Sequence, residues 1–100
     1  MSLIAKVHKK DNHTIVAVCD KALFGKLLEE NDKRLDLRGD FFNGDERLVS
    51  EVGDLIRNAD GVNLVGSEAV KLGVEEGVIV DDNIRKIADV PYAQAVLLHD

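Results

Sequence analysis

Gly66 and Ser67 stand where an apolar run, VNLV, ends and a helical pattern, SEAVKLG, begins. A strand that turns into a helix offers unpaired N–H groups and a partial positive charge, the chemistry that holds phosphates and carboxylates. Gly66 lets a ligand approach the backbone, and Asn63 adds an amide close by in sequence. The stretch carries neither G-x-x-x-x-G-K-[ST] nor the three glycines of a dinucleotide fingerprint. Glu68 also puts a negative charge in the first helical turn, where a phosphate would sit. Two expectations stand side by side: a corner capped by Ser67, or an anion site in a small enzyme or ligand-binding protein.

Tyr92 and Gln94, in DVPYAQ, form a second candidate. On a strand they share a face, pairing an aromatic ring with a hydrogen-bonding amide. In a third stretch, FFNGD, Phe41 and Phe42 are adjacent in a loop. Such rings stack on bases, or one plugs the core while the other covers a sheet edge. Lys9, Lys10, Lys33, Arg34 and Arg38 would supply local positive charge for a nucleic acid.

Catalytic groupings are weak. Cys19 ends an apolar run and is followed by Asp20, which raises a thiol pKa, while a helix N-terminus there would lower it. His8 and His13 flank a turn and are the partners a Cys–His pair would need. Asp81-Asp82 reads as a solvated turn, because acid–base work needs opposed carboxylates. One cysteine and three histidines, none at i, i+4 spacing, do not make a zinc site. No catalytic residue, metal ligand or cofactor is assigned.

These side chains are carried by a chain of 100 residues, the size of one domain, 1–100. With three Phe, one Tyr and no Trp the core must be aliphatic. A single cysteine forms no internal disulfide, which fits a reducing cytoplasm. MSLIAKVHKK lacks the order of a signal peptide, and no stretch has eighteen consecutive apolar residues, so no membrane is expected. Net charge is −6, unevenly placed: residues 1–40 are near neutral and residues 41–100 carry twelve acids against five bases. General affinity for nucleic acid is therefore disfavoured, while a local basic patch in the first part is not.

Leu3, Ala5 and Val7 alternate with Ile4, Lys6 and His8, which predicts a strand; TIVAVC, apolar on both faces, predicts a buried one; KKDNH joins them as a hairpin. Asp20 is expected to cap a helix carrying Leu23, Phe24, Leu27 and Leu28 on one face. RLDL is expected to be a short strand. The most regular helix runs from Glu46 to Ala59, with Asp45 as its cap and Asp60-Gly61 as its end. Ser67 is expected to cap a third helix, Glu68 to Glu76, closed by Gly77. VIV reads as a brief strand, and IRKIA pairs with AQAVLLH across a DVPY turn.

The segments CDKALFGK, LRGDFFNGD, RNADGVNLVGSEAVKLGVEEG and DDNIRKIADVPYAQ, in this order, resemble the archaeal family of domain of unknown function 424 (DUF424) along nearly the whole chain. NLVGSEAV and VPYAQ are the most specific pieces. The family's form of the latter is closer to G-V-P-H-A-Q, so Asp89 stands for the glycine and Tyr92 for the histidine. Any chemistry of that histidine is lost here, which favours binding over catalysis. The resemblance implies an archaeal, cytoplasmic protein, with no activity to inherit, in the company of translation and RNA-processing proteins.

The fold expected is α+β: one domain with a mainly antiparallel sheet of four to six strands and about three α-helices packed on it. The function expected is a non-enzymatic binding module associated with translation or RNA metabolism, contacting RNA or a protein partner through Asn63, Gly66, Ser67, Tyr92 and Gln94. A small-molecule ligand and the oligomeric state are left open by the sequence.

Overall fold

The computed structural model describes residues 2–97. A six-stranded sheet runs in the order β5-β1-β2-β6-β8-β7, and a separate two-stranded hairpin, β3-β4, lies on one of its faces. The strands are β1 (Ser2–Lys10), β2 (His13–Asp20), β3 (Leu27–Glu30), β4 (Lys33–Asp36), β5 (Asp45–Leu48), β6 (Gly61–Val65), β7 (Ile84–Ile87) and β8 (Val90–Val96). The helices are α1 (Val49–Arg57) and α2 (Ser67–Glu75). Every neighbouring pair is antiparallel except β2 and β6, which run parallel. No helix of the described residues is long and apolar enough to cross a membrane.

The alternation in β1 assigns its two faces as expected. Leu3 and Ala5 join Val16, Val18, Val62 and Leu64 beneath α1 and α2, which contribute Val52, Ile56, Ala69 and Leu72. Each large aliphatic side chain fully buried there stabilises the fold by about 1.5–3 kcal/mol. α2 packs very close to the sheet because Gly73 faces Leu64 and Ile79; a Cβ at Gly73 would run into both side chains. The opposite face carries a smaller core of Ile4, Ala17, Cys19, Leu37, Phe42 and Val65, covered by the segment from Lys21 to Gly44.

Among the described residues two α-helices are present rather than about three. The expected helix after Asp20 is only one 3-10 turn, Lys21–Leu23. Gly25 then takes a left-handed φ of +78°, and Leu27 and Leu28 enter the β3-β4 hairpin. The apolar spacing that resembled a helical face instead places Leu23 and Leu28 on the second core. Asp45 caps nothing in α1: it belongs to β5, and the Leu48 N–H donates to Glu51 Oε1 at 3.2 Å to begin the helix. Val78 to Val80 is not a strand. The last hairpin turns at Ala88 and Asp89, both left-handed (φ +49° and +65°), so Pro91 and Tyr92 lie within β8 rather than in a DVPY turn. The same two-residue geometry closes β1-β2 at Asp11 and Asn12 (φ +51° and +69°). The expected extension of the last strand to His99 falls outside the described residues.

Candidate functional site

The parallel register sets Cys19 beside Val65, so the next residues, Asp20 and Gly66, meet at the same end of the sheet. The Asp20 carboxylate accepts the Glu68 N–H at 3.1 Å and the Ala69 N–H at 2.8 Å. Asp20 is thus a helix cap, as its residue type suggests, but for α2 across the sheet and not for the chain that follows it. Gly66 is the N-cap residue and Ser67 makes no capping hydrogen bond. Two of the N–H groups that an anion would use, those of Glu68 and Ala69, are taken, and the ligand holding them is a carboxylate of the chain itself. The cavity of about 620 Å³ beside this corner is lined by Asp20 and Glu68, which repel phosphate, and by Ser67 and Lys21, the lysine being paired with Glu46.

Asn63, Tyr92 and Gln94 come together at another place. Asn63 is opposite Gln94, and Val65 opposite Tyr92, so all four project from the face away from the helices. Phe41 reaches over this face from the covering segment. Phe42 is its buried anchor, 6% exposed, while Phe41 is 42% exposed. The Phe41 ring stacks on His8 at 4.6 Å between centroids and 12° between planes, and meets Phe42 edge-on at 5.2 Å. The His8 ring is fixed by a 2.8 Å hydrogen bond between Nε2 and the Phe41 carbonyl. Between these groups lies a cavity of about 260 Å³ with Phe41, Tyr92 and Leu35 on its walls and Asn63 and Gln94 at its edge. The side chains of Asn63, Tyr92 and Gln94 hydrogen-bond to no other described residue.

The cross-strand register extends this face. Lys6 and Ala17 continue the Asn63–Gln94 row; His8 and Ile15 meet Gly61 and Val96; Lys10 meets His13; Arg85 lies opposite Tyr92. No Asp or Glu projects from this face of β1, β2, β6, β7 or β8. In a chain of net charge −6 this is an uneven distribution; acids occur at Glu46 of β5, which projects from the same face opposite Ile4, in the covering segment, and at Asp11 and Asp89 in the hairpin turns. Lys6, Lys10 and Arg85 form no ion pair with a described residue. Lys6 and Arg85 were missed from the sequence, and His8 was read only as a partner for Cys19, because a polar residue in an alternating strand reads as merely solvent-facing. The signal that could have found them is that β1 alternates basic, never acidic, residues with its apolar ones.

The five basic residues singled out from the sequence lie apart from one another. Lys10 is on this face, whereas Lys9, opposite Thr14, points to the helix side. Lys33 and Arg34 lie opposite Glu30 and Glu29 in β3-β4, where cross-strand acids offset their charge. Arg38 is held by Asp36 through Nε–Oδ1 at 2.9 Å and Nη2–Oδ2 at 3.0 Å. That fork and the Arg38 N–H hold the Asp36 carboxyl down at about 2. A further cavity of about 580 Å³ lies between α1 and the β1-β2 hairpin, lined in part by Arg47, Glu51 and Asp54. Its mixed charge and width leave it without a defined chemistry.

Cys19 offers no nucleophile. It is fully buried, and burial first, then the Asp20 charge, pushes its thiol up from 9.0 to about 11. His13, six residues along the same strand, is about 20 Å away at ~3.3 Å per residue. A thiol reagent at about pH 8 should leave the native protein unmodified and label it on denaturation; labelling of the folded chain would contradict the burial. Because the folded-state pKa is raised, the neutral thiol contributes its stability fully below the ordinary value of 9.0, and that contribution is lost as pH rises through about 11.

A family model described as Protein of unknown function (DUF424) matches residues 8–98. A crystal structure of an uncharacterized conserved protein from Methanopyrus kandleri superimposes with a TM-score of 0.84 at 22% sequence identity, covering 100% of this chain and 96% of that one. At that identity the likeness shows the fold alone. None of the curated proteins matches the chain.

Proposed function

The chain belongs to the DUF424 family of proteins of unknown function, and from that premise we propose that it is a non-enzymatic module binding single-stranded RNA on the part of the sheet face away from the helices that the covering segment leaves exposed. One observation carries the reading: on the face away from the helices, β1, β2, β6, β7 and β8 project no carboxylate and present Lys6, Lys10 and Arg85 around an exposed Phe41 stacked on His8, while the Glu46 carboxylate of β5 is held by Ser2 and Lys21. Backbone-tracking cations with a stacking ring are what single strands need. Duplex RNA, whose bases are stacked away, would gain little from such a ring. An archaeal, cytoplasmic setting in translation or RNA metabolism is the context the family resemblance suggests for this activity.

The test is fluorescence anisotropy with a short labelled single strand of mixed sequence and its duplex, across a range of salt. Three cations that each neutralise a phosphate give a slope of log affinity on log salt of about −2, at ~0.7 per phosphate. The single strand should bind more tightly than the duplex. Affinity indifferent to salt, or equal for both forms, would count against the proposal. Absence of RNA binding together with a protein companion held by Ile15 and Val96, both exposed on this face, would turn the module into a protein-binding one.

A further inference from the structure

We infer that the cavity between Phe41, Tyr92, Asn63 and Gln94 is a base pocket, and that the base it takes is adenine. The inference rests on the RNA-binding reading of the same face and adds sequence preference to it. At about 260 Å³ the cavity is smaller than the ~300–1,000 Å³ of sites for drug-sized ligands. It has room for one planar ring system rather than a folded nucleotide. Its walls are aromatic and aliphatic, from Phe41, Tyr92 and Leu35, as a ring inserted from solvent requires. The polar side chains that line it are two neutral amides, Asn63 and Gln94, set opposite each other by the β6-β8 register, and the Tyr92 hydroxyl, none with a hydrogen bond to another described residue.

A primary amide presents one donor and one acceptor side by side. That edge matches adenine, whose N6 amino group donates and whose N7 accepts, whereas the O6 and N7 of guanine both accept and call for arginine. On the edge that carries N7, adenine sets a donor beside an acceptor and guanine does not, and a purine covers Phe41 and Tyr92 more fully than a pyrimidine. Guanine pairs a donor with an acceptor on another edge, at N1–H and O6, so the assignment of adenine is the case in which the N7 edge meets the amides. The amides carry no charge, so they add nothing to phosphate binding. Base choice and backbone affinity are therefore separable in experiment.

The test compares labelled short runs of A, C, U and G at one salt concentration, for the natural chain and for Asn63→Ala and Gln94→Ala. The A run should bind about tenfold more tightly than the U and C runs. Either substitution should remove that preference and leave the salt slope unchanged. Gln94 is exposed, so Gln94→Ala keeps the test open should Asn63→Ala fail to fold. Free adenosine, which has no phosphate, should shift the side-chain amide NMR signals of Asn63 and Gln94. Equal binding of all four runs, with neither variant changing it, overturns the pocket and leaves the RNA-binding face standing. A preference for G or for a pyrimidine overturns the assignment of adenine. Failure of every run to bind, and of adenosine to shift the amides, overturns both.

Discussion

Gly66→Ala should be strongly destabilising, lowering stability by at least about 3 kcal/mol. Gly66 has φ +110° and ψ +156°, a region closed to any residue with a Cβ. The added methyl would also fall on the Asp20 carboxylate that caps α2. Against a total of roughly 5–15 kcal/mol, such a loss is large. Ser67→Ala, one residue on, should change stability by less than about 0.5 kcal/mol, because the serine caps nothing. Asp20→Ala should fall between them at about 1–2 kcal/mol, the loss of a charged cap at a helix N-terminus. Urea melts of the three variants check the order. A Gly66→Ala variant as stable as Ser67→Ala would refute this account of the corner. The double variant Gly66→Ala, Asp20→Ala should lose less than the sum of the two, since removing the carboxylate removes the collision but not the backbone strain.

Phe41→Ala should weaken binding of single-stranded RNA by about ten- to a hundredfold, from the 1–3 kcal/mol that one base–aromatic stack contributes. Phe41 is largely outside the core, and its folded-state contacts include the His8 stack and the edge of Phe42. Truncation should therefore lower stability by only about 1 kcal/mol. Phe42→Ala is the opposite case: a buried ring whose loss costs about 3–5 kcal/mol. Lys6→Gln should reduce the salt slope by about 0.7 without affecting the melt. RNA affinity and thermal melts measured together separate these effects. Unchanged affinity in Phe41→Ala would show that the ring belongs to the cover of the sheet and not to a binding surface.

The strand faces were legible in the sequence wherever period-two alternation was clean, as in Leu3 to His8. The apolar run of β2 correctly implied burial on both sides, because β2 lies inside the sheet beneath two different covers. The segment 21–28 was misread because four apolar residues at i, i+1, i+4 and i+5 fit a helix as well as a turn followed by a strand. Gly25, left-handed, decides the matter, but a glycine alone does not announce its φ. The candidate site was half legible. Asn63, Tyr92 and Gln94 were found from residue type, and pairing brought them together. Phe41 was a candidate from its pair in a loop, with stacking and packing left open between the two rings. Lys6 entered only through the register of β1 on β2, and His8, read at first as a partner for Cys19, joined the face by the same register. The capping of α2 by Asp20 was invisible because 48 residues separate Asp20 from Glu68 and only the parallel register joins them.

That parallel junction also governs the order in which the protein assembles. On one side of it lie β1, β2 and β5, drawn from residues 2–48; on the other lie β6, β7 and β8, drawn from residues 61–96. Each half closes through its own tight hairpin at little loop-closure entropy, whereas the β2–β6 seam must bring together segments separated by forty residues of intervening chain. The seam is then expected to be the late event of folding, with the contacts that fasten it, Asp20 on α2 and the Thr14 N–H on Asp60 Oδ2 at 2.7 Å, expected to form after the barrier. Weakening those fasteners should leave the rate of folding almost untouched and shorten the lifetime of the native state instead.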